Sequence, residues 1–126
     1  MITTVQTPKA PAAIGPYSQA VVAGDLVFVS GQLGLDPETG EFAGPELATQ
    51  ARQALVNLKT VLAAAGCDMT QVAAVDVFLT DMNDFAAFNA IYAEFFTTHK
   101  PARAVVAVKA LPKNGVIEIK CTGRRS

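Results

Sequence analysis

Two strand-like segments of this sequence are apolar at almost every position, and they constrain the fold more than any other feature. Residues 26–29 and 104–108 would place hydrophobic side chains on both faces of a sheet. A sheet of this kind needs a cover on both faces. The sequence has helical patterns for only two helices, so we expect a second copy of the chain to cover the remaining face.

The overall composition supports the same expectation. The chain has 126 residues, of which 51% are hydrophobic and 17% are charged. This length fits a single domain that spans residues 1–126, but a small domain cannot bury so much apolar surface within itself. The surplus predicts an apolar face between subunits.

Charge and cysteine usage exclude several classes of partner. The formal net charge is −1, the sequence pI is about 5.7, and no long basic run is present. We therefore expect neither a nucleic-acid partner nor binding to an anionic membrane. No segment is long and apolar enough for a membrane span, and the N-terminus lacks the apolar core of a signal peptide. Cys67 and Cys121 are expected to be reduced thiols in a cytoplasmic protein.

Turn residues and hydrophobic periodicity predict the order ββαβαββ, an α+β fold with a mixed sheet and two helices on one face. Residues 1–16 contain three prolines and are expected to form an extended arm. An apolar stripe from Leu47 to Ala65, followed by Gly66, predicts the first helix. The second helix is expected after Asp81, with a buried stripe of Phe85, Phe88, Tyr92 and Phe95. The predicted strands are residues 17–23, 26–30, 72–80, 103–109 and 116–122.

The last two strands are expected to pair with each other. Asn114-Gly115 is typical of a two-residue hairpin turn. In such a hairpin Arg103 and Glu118 would share a face but lie about 20 to 26 Å apart, at about 3.3 Å per residue. If these two residues act together, we expect them to do so across a subunit boundary.

Few residues of the sequence offer catalytic chemistry. Arg103 and Glu118 stand out, although each also fits a solvated strand face or an exposed ion pair. The single histidine, His99, is expected to interact with the end of the second helix. It forms no zinc cluster or Ser-His-Asp arrangement with other residues, and Gly31 and Gly34 form no phosphate-binding motif. We therefore expect no metal.

Several short motifs resemble those of the Rid (YjgF) family. They are residues 13–20 (AIGPYSQA), 29–32 (VSGQ), 83–85 (NDF) with Asn89, 101–103 (PAR), and 111–113 (LPK) leading to 117–119 (IEI). These motifs span nearly the whole chain and occur in the family's order. The resemblance implies a chorismate-mutase-like fold and a homotrimer, with sheets packed into a central barrel and clefts between subunits.

The resemblance also implies an enzymatic function. Many members of the family hydrolyse reactive enamines and imines of amino-acid origin, such as 2-aminoacrylate, 2-iminopropanoate and 2-iminobutanoate, to 2-oxo acids and ammonia, without a cofactor. By this resemblance Arg103 binds the substrate carboxylate, for which a guanidinium fork is suited. Glu118 orients the attacking water and accepts its proton. The positions that match the lining of the family's cleft are Tyr17, Ser30, Gly31 and Asn89.

Two departures from the family pattern leave the substrate open. Val105 stands where many deaminases of the family have a cysteine, so we include it among the substrate-binding positions, and the connection at residues 98–101 is shorter than usual. A related deaminase that acts on another catabolic enamine, such as an aminomuconate, is therefore an alternative. RNA cleavage or chaperone-like binding, proposed for some relatives, is an alternative of another class. The acidic pI and the 7% aromatic content weigh against RNA binding.

Overall fold

A computed structural model describes all 126 residues and contains six strands and two α-helices. The elements are β1 (Ile2–Val5), β2 (Ala20–Ala23), β3 (Leu26–Leu33), α1 (Leu47–Ala64), β4 (Val72–Leu79), α2 (Phe85–Phe95), β5 (Ala102–Ala107) and β6 (Ile117–Arg124). The predicted α+β class is confirmed. The predicted extended arm at residues 1–16 was wrong in its first part, because β1 pairs antiparallel with β2. The prolines that favoured an arm all follow β1, whose four residues are all β-branched.

The six strands form one mixed sheet in the order β1-β2-β3-β6-β4-β5. β4 and β5 are parallel, and the other neighbouring strands are antiparallel. The predicted hairpin between the last two strands was therefore wrong, since β6 lies between β3 and β4. Helix α2 connects β4 to β5 as a crossover, which places β5 parallel to β4 at the sheet edge. Lys113 and Asn114 take positive φ values of 57° and 61°, and they belong to a short turn that leads the chain away from β5.

Both helices begin and end close to the predicted positions. α1 follows Pro45 and ends before Gly66, whose φ of 78° lies in the left-handed region that favours glycine. Asp81, after which the second helix was expected, does not cap α2 directly. Its side chain accepts a hydrogen bond of 2.9 Å from the backbone N–H of Asn83, in a short 3₁₀ turn before α2. Neither helix combines the length and apolarity that a membrane crossing requires.

The helices cover one face of the sheet and leave the other face open. Leu55 and Leu58 of α1 and Phe88 of α2 are fully buried against the sheet, in one core cluster of 24 residues. On the opposite face, Phe28 and Val106 are 43% and 44% exposed. The predicted uncovered, partly apolar face is therefore present in the chain. We refer to these as the helix face and the open face.

Candidate active site

Arg103 projects from the edge strand β5 onto the helix face, where it lies beside α2. Its partner in the β4 ladder is Val75, which is buried in the core. One guanidinium nitrogen, Nη1, donates a hydrogen bond of 2.8 Å to Oδ1 of Asn89. The ion pairs of the chain are Arg52–Glu94 and Arg124–Asp25, so Arg103 has no acidic partner. The side chain is thus an exposed and uncompensated cation held in one orientation.

Three aromatic rings of α2 surround the same guanidinium. The Cζ atom of Arg103 lies 4.7 Å from the ring centroid of Tyr92, 5.7 Å from that of Phe88 and 5.8 Å from that of Phe85. The rings belong to positions spaced by three and four residues, which share one side of a helix. Asn89 follows Phe85 by four residues and joins them on that side. The predicted buried stripe therefore holds in part: Phe88 and Tyr92 are buried, whereas Phe85 is 36% exposed and Phe95 is half-buried.

Glu118 lies on the open face, in the middle of the sheet. Its neighbours in β6, Ile117 and Ile119, are fully buried on the helix face, so alternation turns Glu118 to the other side. Gly31 sits directly against it: a Cβ atom added there would lie 2.8 Å from Cδ of Glu118. Burial raises the pKa of the Glu118 carboxyl above its ordinary value of 4.5. Gly31 thus provides the space that the carboxylate occupies.

Arg103 and Glu118 lie on opposite faces of the sheet, and the prediction that they share a face was wrong. Arg103 is in register with Val75 of β4, and Glu118 is in register with Phe78 of β4. This offset of three residues corresponds to about 10 Å along the strands, and the two ladder steps add about 10 Å across them. The two side chains do not meet within one chain. The predicted distance of 20 to 26 Å between Arg103 and Glu118 does not apply, because it assumed a hairpin of the last two strands that the structure does not contain.

Ser30 and Tyr17 lie near the N-terminal segment rather than near Arg103. The Ser30 hydroxyl donates a hydrogen bond of 2.6 Å to the backbone carbonyl of Ser18. Tyr17 is 53% exposed and lines a groove of about 720 Å³ between this segment and Pro37. The predicted site residues therefore fall into two groups. Arg103 and Asn89 form the first; Glu118, Gly31, Ser30 and Tyr17 belong to the second.

Val105 lies on the same face as Arg103, two residues further along β5. It is in register with the buried Val77 of β4 and packs half-buried against the core. An aliphatic side chain here adds neither a donor nor a nucleophile next to the guanidinium. It leaves that part of the site apolar.

Two side chains that sequence reasoning did not single out contribute to the arrangement. Tyr92 was predicted only as a core residue, yet its ring is the one closest to Arg103. Gln19 is buried, and its side chain bonds to backbone groups of Thr7, Ala10 and Pro11. It thereby fixes the segment that leads to Tyr17. The helical spacing of Tyr92 from Phe85 and Asn89 was the sequence signal that could have placed its ring beside Arg103. The sequence carries no comparable signal for the role of Gln19.

Other chemical groups of the chain do not join this arrangement. His99 forms a 2.5 Å hydrogen bond through Nε2 with the carbonyl oxygen of Val72, so it links the loop after α2 to β4 rather than to the helix end. Cys67 and Cys121 are buried free thiols. Burial raises the pKa of Cys121 to about 12. The pKa of Cys67 is also raised, mainly by burial and to a smaller extent by the negative charge of Asp68. No three His, Cys, Asp or Glu side chains are grouped to hold a metal ion.

The open sheet, the two helices on one face and the uncompensated arginine at the edge define a small α+β protein suited to binding a carboxylate. Comparison with known proteins identifies the family. The sequence model of the family described as endoribonuclease L-PSP matches residues 7–124. The chain belongs to this family, which is the Rid (YjgF) family that its motifs resemble.

Similar proteins share most of the chain's length. A RutC family protein of Sinorhizobium fredii is 51% identical over 120 residues, which cover 95% of each chain. A 2-iminobutanoate/2-iminopropanoate deaminase of Bos taurus is 49% identical over 116 residues, which cover 92% of this chain and 85% of the relative. The crystal structure of TdcF of E. coli with bound serine is 42% identical, with a TM-score of 0.94, and the match covers 98% of this chain and 99% of that chain.

Proposed function

We propose that the protein is a hydrolytic deaminase that converts small enamines and imines of amino-acid origin to 2-oxo acids and ammonia. The observation that carries this proposal is the 49% identity, over 92% of the chain, with a 2-iminobutanoate/2-iminopropanoate deaminase. The motifs that suggested this activity are distributed along the same length. The substrates are 2-iminopropanoate, 2-iminobutanoate and the enamines with which they interconvert.

Arg103 binds the carboxylate of the substrate. A guanidinium carries five N–H donors, and a planar carboxylate accepts two of them in parallel. Asn89 occupies one N–H of Nη1, so four donors remain for the substrate. Because no acidic side chain of the chain pairs with Arg103, the substrate carboxylate does not have to displace an internal competitor.

Glu118 places and activates the water. Its pKa, raised by burial, makes the carboxylate a stronger base than an exposed glutamate. It takes a proton from water as the oxygen bonds to the C=N carbon of the protonated imine, and the C=N π electrons pass to nitrogen to give a neutral amine. Glu118 then returns this proton to the amine nitrogen, the C–N bond breaks and ammonia leaves, and the hydroxyl proton is released as the carbonyl forms. Water and imino acid are thereby converted to 2-oxo acid and ammonia, with no redox change.

Assembly brings the two groups together. Arg103 and Glu118 lie on opposite faces of one sheet, so a site that uses both takes them from different subunits. The open face with Phe28 and Val106 is the surface on which another copy packs. A homotrimer, in which the open faces meet around a common axis, closes this surface and places one chain's Arg103 beside the Glu118 of the next.

A coupled assay tests the proposed activity. An amino-acid oxidase generates 2-iminobutanoate from 2-aminobutanoate, and formation of 2-oxobutanoate is followed against the spontaneous rate. The wild-type protein should accelerate it, and Arg103→Ala should lower kcat/KM about 100-fold, since two charge-assisted hydrogen bonds are lost. Lys109→Ala, a cation beyond the end of β5, is the matched control and should retain activity. Absence of acceleration with 2-iminopropanoate and 2-iminobutanoate would overturn the proposal for these substrates.

Val105 and residues 98–101 bear on the choice among enamines. The half-buried Val105 beside Arg103 and the short connection before Pro101 motivate a comparison of small and large substrates. If an aminomuconate is turned over faster than 2-iminobutanoate, the protein belongs with deaminases of larger catabolic enamines. A higher rate with 2-iminobutanoate assigns it to the small imino acids.

RNA cleavage is the second candidate because the matching family is described as an endoribonuclease. The same preparation should be incubated with a single-stranded RNA, alongside Arg103→Ala. Cleavage that persists through repeated purification and is lost in the variant would favour this activity. We expect none, given the sequence pI of about 5.7.

A further inference from the structure

We propose that Tyr92 is a positioning residue for substrate binding: its ring, with those of Phe85 and Phe88, forms an aromatic seat that orients the Arg103 guanidinium. This inference rests on the proposed function of Arg103 as the carboxylate-binding group. It concerns a residue that lies beneath the arginine rather than one that touches the substrate.

The aromatic seat holds the Arg103 guanidinium in place without neutralising its charge. An arginine that binds an anionic substrate has to be held in place, yet an acidic partner would neutralise it and compete with the substrate. Aromatic faces attract a guanidinium through their quadrupole without carrying a net charge. Arg103 has three such rings within 5.8 Å of Cζ and no ion pair.

The geometry also explains why Tyr92 dominates the seat. Its centroid is 4.7 Å from Cζ of Arg103, about 1 Å closer than the other two rings. Tyr92 is itself fixed by Phe88 and Phe96, at centroid distances of 5.4 Å and 4.7 Å. A ring clamped on both sides provides a rigid base. Asn89 then sets the rotation of the guanidinium by accepting from Nη1.

The ring rather than the hydroxyl performs this task. The Tyr92 hydroxyl is buried without a hydrogen-bond partner in the chain. Burial is the main cause that raises its pKa to about 12, so it stays neutral at physiological pH. Tyr92→Phe keeps the ring, and Tyr92→Leu keeps apolar volume but removes the aromatic face. The pair therefore separates orientation of Arg103 from simple core packing.

Two measurements test the seat, and the first is steady-state kinetics with 2-iminobutanoate. Tyr92→Leu should raise KM about tenfold with a much smaller change in kcat, whereas Tyr92→Phe should restore the wild-type KM. Ile91→Ala, which creates a cavity at a buried residue of α2 that is neither a ring nor a hydrogen-bond partner of Arg103, should lower the melting temperature without raising KM. Equal KM values in wild type and Tyr92→Leu, or a raised KM in Ile91→Ala, would overturn the inference.

The second measurement is calorimetric binding of 2-oxobutanoate, an unreactive carboxylate. Tyr92→Leu should weaken its binding about tenfold and Tyr92→Phe should not. If Tyr92→Leu does not fold, Phe85→Leu replaces it, because this exposed ring can be removed at little cost to packing; a smaller weakening is then expected and no weakening contradicts the seat. If binding of 2-oxobutanoate depends on the Tyr92 ring but no imine is turned over, the aromatic seat is supported and the proposed deaminase activity is refuted. If imines are turned over but neither binding nor KM depends on the Tyr92 ring, the deaminase activity is supported and the aromatic seat is refuted. A wild-type protein that neither binds 2-oxobutanoate nor turns over imines would refute both proposals.

Discussion

Arg103 and Glu118 lie on opposite faces of the same sheet, although both belong to strands that pair with β4. Arg103 points to the helix face beside α2, and Glu118 points to the open face beside Gly31. A proposed reaction that needs both groups therefore cannot take place within one isolated chain. This relationship makes assembly part of the proposed catalytic mechanism rather than a source of stability alone.

Asn89→Asp places an internal competitor next to the substrate-binding cation. The substitution is nearly isosteric, and a carboxylate oxygen would replace the Oδ1 atom that lies 2.8 Å from Nη1 of Arg103. The resulting ion pair should raise KM for 2-iminobutanoate about tenfold or more, since a charged partner must be displaced. Asn89→Ala is the comparison, because it removes the hydrogen bond without adding charge. If the two variants have the same KM, competition by charge is not the explanation.

Gly31→Ala should disturb Glu118 by steric contact. The added Cβ atom would lie 2.8 Å from Cδ of Glu118, closer than van der Waals contact allows. We expect a lower kcat, because the carboxylate is pushed away from the position in which it is proposed to activate water. The double variant Gly31→Ala/Glu118→Ala provides a cycle: once Glu118 is truncated, the glycine substitution should have little further effect. Additive losses would show that Gly31 acts independently of Glu118.

Glu118→Gln should alter the pH dependence of both activity and stability. The folded-state pKa of Glu118 is raised above 4.5, so the carboxyl is protonated in the folded state over a wider pH range than in the unfolded state. Its contribution to stability is therefore fully present below 4.5 and is lost as pH rises through the folded pKa. Near neutral pH, Glu118→Gln should melt at a higher temperature than wild type.

The same substitution should remove the acidic limb of kcat/KM. Protonated Glu118 cannot accept a proton from water, so wild-type activity should fall as pH drops through a pKa above 4.5. A pH-rate profile and melting curves at several pH values provide both measurements. An acidic limb that survives in Glu118→Gln would assign the limb to another group.

The two cysteines should be unreactive in the folded protein. Both are buried, burial raises their pKa values, and the nucleophilic form of a thiol is the thiolate. Labelling with a thiol reagent should therefore be slow in native protein and rapid in denaturant. Cys67→Ser and Cys121→Ser assign any early labelling to one position. Rapid labelling of the native protein would show that this part of the core opens readily.

The sequence predicted most elements but not their neighbours. Periodicity identified both helices and most of the strands, because buried stripes and alternating segments are local signals. The position of β6 between β3 and β4 was missed because a local turn signal, Asn114-Gly115, suggested a hairpin with β5. Pairing between distant strands is a long-range property that turn residues do not encode.

The candidate site was predictable only in part for the same reason. Motifs identified Arg103 and Glu118 as candidate site residues. The prediction that both side chains lie on the same face of the sheet depended on the strand order, and it was wrong because the predicted strand order was wrong. Tyr92 was predicted as a core residue, and only the packing of α2 on β5 shows that its ring faces the guanidinium.

Subunit mixing tests the proposed intersubunit site most directly. Arg103→Ala and Glu118→Gln subunits, each with only residual activity alone, are co-expressed in equal amounts with different tags and purified together. If each site takes Arg103 from one chain and Glu118 from its neighbour, random assembly into trimers should restore about one quarter of wild-type activity, or about one third in trimers selected through both tags. If both residues act from the same chain, no subunit in the mixture has a complete set. Activity that stays at the level of the separate variants, in assemblies shown to contain both tags, would contradict a site built between subunits.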